Sequence, residues 1–382
     1  MRALLRNLGR PERAYPSIIV AGTNGKGSTS ATLASILNAS GYRTGLYTSP
    51  HLVDIRERWM IGGAMIEPAL LERSIELLRG ASERVGITPT YFEALTLVAF
   101  IAFGQTDCDV AVLEVGMGGR LDATNVVRPI AALITPIGID HTEYLGNTLR
   151  KIAAEKAGVI HRGAIVLTSN DDPAIVRILR SRAQKFGNPF HAVTSDHRTP
   201  LRGAFQKRNV ALAVAAAQEL RALLPKITSR SIARGVAETR WRGRLELIEY
   251  AGKEIWIDGG HNTHAAEAIA PFIADSVAPP RLLVFGIMGD KDVGRVAETL
   301  FPLFESVIAT EPFPPRSASA GRLAQIAGDM GLDAAAEPDP RHALARALVS
   351  PQRSVFVGGS LYLAGAAIEF FERQKAEGRG QK

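Results

Sequence analysis

The sequence predicts an α/β protein in two parts. A P-loop-type domain with a mainly parallel sheet is expected over residues 1–243, followed by a smaller Rossmann-like α/β domain over residues 244–382. Three observations point there. Short apolar runs alternate with helical stretches through the first two-thirds of the chain, the pattern of β-α-β units that bury both faces of a parallel sheet. One of those runs, residues 17–21, breaks into a glycine-rich loop that carries a lysine. Around Arg240-Trp241-Arg242-Gly243-Arg244 the texture changes and a second alternation begins. A length of 382 residues also suits two domains better than one.

The glycine loop comes first. Ser17-Ile18-Ile19-Val20-Ala21 reads as a buried strand, and Gly22-Thr23-Asn24-Gly25-Lys26-Gly27-Ser28 follows it. A helix is expected over 28–39, with Leu33, Ile36 and Leu37 at helical spacing and Gly41 just past its end. Strand, glycine loop and helix N-terminus together make a phosphate cradle: loop amides point inward, the helix dipole favours an anion, and Lys26 adds a mobile positive charge. The strict G-x-x-x-x-G-K-[ST] pattern is not met, because two residues separate Gly22 from Gly25 and Gly27 stands between Lys26 and Ser28. The plain alternative is an ordinary turn, but three glycines and a lysine together are more than an ordinary turn needs.

The rest of the first domain supplies more strand ends. A strand over 43–48 leads to Ser49-Pro50-His51-Leu52, and helices are expected over 67–85 and 92–103. A buried strand over 109–113 ends in Glu114, and a strand over 131–137 leads to Gly138-Ile139-Asp140-His141. A helix over 149–159, a strand over 164–168, an alanine-rich helix over 206–224 and a short helix over 227–237 complete it. Ligands of such sheets bind at the carboxyl ends of the strands. The cradle, Ser49, Glu114 and His141 all stand at such ends.

Glu114, at the end of a core strand facing a phosphate cradle, is placed to hold Mg²⁺; a capping or salt-bridged Glu is the alternative. A lone His is more often structural, but His141 shares the sheet edge with Glu114 and is assigned to the metal site, where Ser49 adds a hydroxyl. Arg120 and Asp122 either pair with each other or leave Arg120 for substrate. Lys156, in Ala154-Glu155-Lys156-Ala157-Gly158, reads on spacing alone as a surface lysine at a helix end, where a cation is favourable.

In the second domain strands are expected over 254–257, 282–285, 306–310 and 354–357, with helices from 263 and over 293–304, 319–330 and 341–348. Three polar, glycine-bearing turns follow strands: Asp258-Gly259-Gly260-His261-Asn262, Gly286-Ile287-Met288-Gly289-Asp290-Lys291-Asp292, and Gly358-Gly359-Ser360.

Composition narrows the function classes. The chain is 46% hydrophobic and 22% charged, ordinary for a soluble globular protein. No apolar run approaches the about 18 residues of a membrane span. Met1-Arg2-Ala3-Leu4-Leu5-Arg6 is interrupted by charge too soon for a secretory signal. The single cysteine, Cys108, excludes an internal disulfide framework and suits a cytoplasmic protein. The net charge is +7, but Lys and Arg are spread along the chain with no aromatic residues between them. Nucleic acid and membranes are therefore not expected as partners, and the excess charge reads as a general pull on anionic substrates.

Together these residues resemble one family, the dihydrofolate synthase/folylpolyglutamate synthase branch of the Mur-ligase superfamily. The resemblance runs over nearly the whole chain. It rests on the glycine loop, Ser49-Pro50-His51-Leu52, Phe92-Glu93-Ala94-Leu95-Thr96, the stretch from Leu113 to Asn125 (LEVGMGGRLDATN), Gly138-Ile139-Asp140-His141 and Glu155-Lys156-Ala157-Gly158. Gly243-Arg244-Leu245-Glu246, the Asp258 turn, Asp290-Lys291-Asp292 and Gly359-Ser360-Leu361-Tyr362-Leu363 follow in family order. The family loop also accounts for the shortened P-loop.

The resemblance implies an ATP-dependent amide ligase. ATP phosphorylates a substrate carboxylate to an acyl phosphate, and the amine of L-glutamate displaces phosphate; the acceptor is dihydropteroate, a reduced folate or both. It implies that Thr23, Asn24, Gly25, Lys26, Gly27 and Ser28 hold ATP phosphates, and that Ser49, Glu114, His141 and Lys156 serve two Mg²⁺ ions. Lys156 would be carbamylated, which reverses its surface reading and needs an uncharged amine. Arg244, Asp258, His261 and Asn262 would reach the nucleotide, Lys291 and Ser360 the glutamate carboxylate, and Thr90, Phe92, Ala123 and Asn125 the pterin. A monomer is expected. This chain departs from the family pattern in a short segment before the cradle, a short stretch over 190–202, Phe205 for the usual His, Gly260 for Ala, and Met288-Gly289 for Leu-Ala. Another Mur-type amino-acid ligase, or a nucleotide-binding switch without ligation, are the alternatives; the turns at Asp258, Lys291 and Ser360 are unnecessary in a switch.

Overall fold

The computed structural model describes residues 1–379. The chain forms two compact units. The first comprises Met1–Ser49, Arg56–Pro200 and Gln206–Arg240; the second comprises Pro50–Ile55, Leu201–Phe205 and the chain from Trp241 onward. This differs from a single cut at 243/244. Two short segments belong with the C-terminal unit, where their partly buried apolar side chains pack on its cores: Leu52 on the cluster that holds Leu363 and Ala364, and Phe205 on the one that holds Trp256.

The first unit is built on an eight-stranded sheet. Its strands are β1 (Ser17–Ala21), β2 (Thr44–Tyr47), β3 (Trp59–Ile61), β4 (Ala64–Met65), β5 (Val110–Glu114), β6 (Ala131–Ile134), β7 (Ile165–Thr168) and β8 (Phe190–Ala192), in the order β4-β3-β2-β5-β1-β6-β7-β8. All neighbours are parallel except the β2-β3 and β3-β4 pairs. β1, β2, β5 and β6 are buried along their whole length. Covered on both faces, such strands read as continuous apolar runs.

Nine helices accompany this sheet: α1 (Arg2–Asn7), α2 (Lys26–Ala39), α3 (Pro68–Val85), α4 (Tyr91–Gln105), α5 (Thr142–Leu145), α6 (Leu149–Lys156), α7 (Pro173–Lys185), α8 (Ala204–Glu219) and α9 (Ser229–Glu238). α4 is apolar all round because its middle, Leu95 to Phe103, is buried. It opens on a capping box: Thr90 Oγ1 accepts from the Glu93 amide while Glu93 Oε2 accepts from the Thr90 amide. No element is expected from sequence over 59–65 or 173–192. The structure has the β3-β4 hairpin, α7 and β8 there. α7 carries a readable start signal, with Pro173 at its first position and Asp172 Oδ1 accepting from the Ala174 amide at 2.7 Å. β8 is a three-residue edge strand with no buried residue.

The second unit holds β9 (Glu246–Tyr250), β10 (Lys253–Ile257), β11 (Arg281–Phe285), β12 (Ser306–Ala309), β13 (Asp333–Ala336) and β14 (Ser354–Gly358), ordered β13-β12-β11-β14-β10-β9. Only β9 is antiparallel. α10 (Thr263–Ser276), α11 (Val293–Leu300) and α12 (Ala320–Asp329) share one core cluster; α13 (Pro340–Leu348) and α14 (Leu361–Arg379) share another. Alternate residues of β11 enter the two clusters, Leu283 and Phe285 one, Leu282 and Val284 the other, so the helices cover opposite faces of the sheet. β9 and β13 are not expected from sequence, for neither shows a buried apolar run. No helix among the described residues is long and apolar enough to cross a membrane.

Candidate active site

The phosphate loop follows β1. Gly22 has φ 149° and Gly25, which precedes the first residue of α2, has φ 85°. A Cβ on Gly22 would overlap Thr135 Oγ1, and one on Gly25 would overlap Asn209 Oδ1. Conformation and space therefore both require glycine. The loop is tied to the segment after β6. Thr23 and Asn24 donate their amides to the Pro136 carbonyl at 3.0 and 3.3 Å, and Thr23 Oγ1 lies 3.1 Å from both the amide and the carbonyl of Gly138. The amides of Thr23 and Asn24 thus brace the loop, while those of the first turn of α2, from Lys26 to Ser28, have no partner within the helix. Lys26 Nζ folds back on the Thr23 carbonyl at 3.0 Å.

Strand register brings the other candidates to this edge. Val20 of β1 lies beside Glu114, the last residue of β5; Tyr47 of β2 lies beside Leu113; Ala21 lies beside Ile134 of β6. Glu114 is 5% exposed, and its Oε2 accepts from the Ser49 amide at 3.3 Å. His141 takes φ 50° at the start of α5, with its amide donating to Asp140 Oδ1 at 2.9 Å. Among the described residues no three His, Cys, Asp or Glu side chains converge as a metal cage. Mg²⁺ is ordinarily held by one or two carboxylates together with substrate phosphates. One buried carboxylate beside a phosphate loop fits that arrangement and not an all-protein site.

The stretch after Glu114 is pinned from within. Asp122 Oδ2 accepts from the Met117 amide at 3.0 Å, and its Oδ1 accepts from the Thr124 amide at 2.9 Å and hydroxyl at 2.6 Å. Burial nevertheless raises its pKa above the usual carboxylate value. Arg120 pairs with Glu155 and not with Asp122. Its Nε donates to both carboxylate oxygens of Glu155 at 3.1 and 3.2 Å, and its amide to the Glu155 carbonyl at 2.9 Å.

Lys156, at the end of α6, is 4% exposed and not on the surface. Its Nζ donates to the Gly22 carbonyl at 2.6 Å. Burial and, secondarily, the charge of Lys26 lower its pKa to about 7, partly opposed by Asp140 and Asp122.

Of the candidates for the pterin, Phe92 packs near Tyr47, with ring centroids 6.2 Å apart, and fills the space a Cβ on Gly116 would need. Thr90 is engaged in its capping box, and Ala123 is buried. The Asn125 amide is fully engaged by protein. Its Nδ2 donates to the carbonyls of Arg120 and Gly158 at 3.1 and 3.2 Å, and its Oδ1 lies 2.8 Å from His161 Nε2. Asn125 thus fastens the 116–124 stretch to the end of α6.

Three residues at this loop were not anticipated. Asn209 backs Gly25, donates from Nδ2 to Gln206 Oε1 at 2.9 Å, and accepts from Thr29 Oγ1 through its carbonyl at 3.2 Å. Gln206 is fully buried with its Nε2 unpartnered. Asn170 accepts from the Ile137 amide at 2.8 Å and donates to the Thr135 carbonyl at 3.0 Å, holding the segment that braces the loop. The signal for the first two was present: amides three apart in an otherwise alanine-rich helix.

In the second unit Asp258 is buried. Its Oδ2 accepts from the Leu245 amide at 3.0 Å and its Oδ1 from the Gly260 amide at 2.7 Å. Burial raises its pKa, against the pull of Arg244. Asn262 Oδ1 caps α10 through the Ala265 amide, and His261 Nδ1 lies 3.1 Å from the Gly259 carbonyl. Lys291 is largely buried, 3.9 Å from Asp290 Oδ2. Ser360 is 1% exposed, and its Oγ accepts from the Tyr362 amide at 3.0 Å. These turns follow the carboxyl ends of β10, β11 and β14.

Known proteins align with this arrangement. Residues 20–212 match the Mur ligase middle domain and residues 243–361 the Mur ligase glutamate ligase domain. A probable bifunctional folylpolyglutamate synthase/dihydropteroate synthase of Halobacterium salinarum is 37% identical over 98% of this chain, which spans 49% of that relative's length. The dihydrofolate synthase/folylpolyglutamate synthase of Bacillus subtilis is 30% identical, with 95% of this chain and 92% of the relative aligned. The crystal structure of Mycobacterium tuberculosis folylpolyglutamate synthase complexed with ADP and AMPPCP superposes with a TM-score of 0.88 at 32% identity, covering 97% of this chain and 94% of that one. The chain belongs to the Mur ligases, in the folylpolyglutamate synthase/dihydrofolate synthase family of ATP-dependent carbon–nitrogen ligases.

Proposed function

We propose that this chain joins L-glutamate to dihydropteroate and to reduced folates with ATP as the energy source, as a cytoplasmic monomer. The observation that carries the reading is the buried Lys156 amine, 2.6 Å from the Gly22 carbonyl of the phosphate loop and lowered to about 7. A buried lysine beside a second lysine is unfavourable as a structural device. It suits a site where anionic phosphates arrive and where an uncharged amine is useful.

The amides of Lys26, Gly27 and Ser28, with the Lys26 amine, receive the phosphates at the positive end of α2. The acceptor carboxylate attacks the γ-phosphorus, ADP leaves, and an acyl phosphate forms. The glutamate amine, held by contacts to its carboxylate from Lys291 and Ser360, attacks the acyl carbon, releasing phosphate and a proton. Mg²⁺, when held by Ser49, Glu114, His141 and Lys156, supplies neutralisation of the charge on the transferring phosphoryl group. Arg244, Asp258, His261 and Asn262 are assigned to the nucleotide; Thr90, Phe92 and Ala123 to the pterin, with Asn125 supporting that wall.

Carbamylation of Lys156 joins its neutral amine to carbon dioxide with loss of a proton, giving an anionic oxygen ligand. A pKa near 7 keeps enough amine neutral for this at physiological pH. Lys156→Ala should be inactive and partly restored by a small carboxylic acid; unchanged turnover in that variant would remove the carbamate from the scheme.

The test is ADP release from the purified protein with Mg-ATP and L-glutamate, comparing dihydropteroate with tetrahydrofolate. Turnover with both is expected. Turnover with only one restricts the enzyme to that reaction, and turnover with neither overturns the reading.

A further inference from the structure

The second unit has a fourth turn at its carboxyl edge, residues 310–319 after β12. The chain leaves β11 toward the face covered by α11 and leaves the neighbouring β14 toward the face covered by α14, and these strands end level, Phe285 beside Gly358. Such a divergence opens a crevice at the strand ends, here bordered by Lys291 and Ser360. The fourth turn hangs on the Lys291 turn: Gly289 donates its amide to the Arg316 carbonyl at 2.8 Å, and Ala318 donates to the Ile287 carbonyl at 2.9 Å. From it Phe313 reaches Tyr362 at the start of α14, and the rings stack with centroids 4.8 Å apart and 23° between planes. Both rings are open to solvent, 41% and 39% exposed, so the stack is not core packing. The Arg316 guanidinium lies 5.8 Å from the Phe313 centroid, and among the described residues it has no acidic partner.

We propose that Arg316, oriented by the Phe313–Tyr362 stack, binds the side-chain carboxylate of the incoming dicarboxylic amino acid and sets the preference for it; this rests on the ligase reading above. Glutamate brings two carboxylates, while its amine is the nucleophile. Lys291 and Ser360 supply one cation and one hydroxyl, enough for one carboxylate. The second needs another cation at the same edge, and the planar guanidinium fork matches a carboxylate with two parallel hydrogen bonds. A guanidinium beside an aromatic ring keeps its charge while losing rotational freedom. Phe313 and Tyr362 are positioning residues, and Arg316 touches substrate.

The experiment is steady-state ADP release with the wild type and with Arg316→Ala, Arg316→Lys and Phe313→Leu, using L-glutamate and L-glutamine as alternative amines. Arg316→Ala should raise the glutamate KM by about tenfold or more, the effect of losing one charge-assisted contact. It should change kcat less than the KM, leave the ATP KM unaltered, and shrink the preference for glutamate over glutamine. Arg316→Lys should recover part of the loss, and Phe313→Leu should show a smaller rise in the same constant. An unaltered glutamate KM and an unaltered glutamate-to-glutamine ratio in Arg316→Ala would overturn the inference and leave the ligase reading standing. Absence of glutamate-dependent turnover in the wild type would overturn both.

Discussion

The Lys156 amine donates to the Gly22 carbonyl at 2.6 Å, so the end of α6 is fastened to the first residue of the phosphate loop. A lysine held this way makes stability depend on pH. Its native pKa of about 7 lies below the ordinary 10.5. Below the native value both native and unfolded states bind the proton, and the full burial penalty is felt. Between the two values the unfolded chain holds a proton that the native state lacks, so stability from this group rises with pH. Lys156→Met should therefore be more stable than wild type near about pH 6, by on the order of a few kcal/mol, and lose that advantage progressively as the pH rises from about 7 toward 10.5. Thermal melts of both proteins across this range check it; parallel curves would mean the amine is not depressed.

Gly25 and Gly41 separate backbone strain from site geometry. Both have positive φ, 85° and 81°, but a Cβ on Gly41 meets nothing while one on Gly25 overlaps Asn209 Oδ1. Each alanine should cost about 1–2 kcal/mol for the left-handed conformation alone. Only Gly25→Ala should also weaken ADP binding, by at least about tenfold, because Asn209 and the loop cannot both keep their places. Calorimetric titration with ADP distinguishes the two variants.

The Arg120–Glu155 pair is partly exposed, 57% and 28%, so it should add no more than about 1 kcal/mol to stability. Its role is to hold the 116–124 stretch against the end of α6. Arg120→Ala and Glu155→Ala should lower kcat/KM by similar factors, with the double variant no worse than either. A much larger loss in Arg120→Ala than in Glu155→Ala would show that the guanidinium meets substrate after all.

Glu114 supplies the buried carboxylate at the phosphate loop. Glu114→Gln keeps its shape and its contact with the Ser49 amide but removes the charge. Turnover should fall by at least about a hundredfold, and the Mg²⁺ concentration for half-maximal rate should rise. Equal Mg²⁺ dependence in the two proteins would take Glu114 out of the metal site.

Much of the fold was legible because its signals are local. Residues 17–28 announce a buried strand, a glycine-rich loop and a helix start, each set by a few consecutive residues, whereas the lack of room for a Cβ at Gly22 and Gly25 comes from the distant Thr135 and Asn209. The strand ends at Ser49 and Glu114 followed from apolar runs that stop at a polar residue, whereas the strand expected over 131–137 ends at Ile134 and His141 lies seven residues on, at the start of α5. The antiparallel β9 and the alanine-rich β13 are not legible in the sequence because neither carries a run of large apolar residues, and their pairing comes from neighbouring strands.

By itself, then, the amino-acid sequence determined the two α/β units, the glycine loop and the residues that stand at the strand ends, since φ preference and apolar spacing are properties of adjacent residues. Only the tertiary structure decided that Lys156 is buried on Gly22, that Arg120 takes Glu155, that Asn209 backs Gly25, that the 50–55 and 201–205 segments pack with the second unit, and that Phe313 meets Tyr362. Desolvation and pairing depend on which distant segments lie side by side, and a lysine at a helix end looks the same in sequence whether water or another loop covers it.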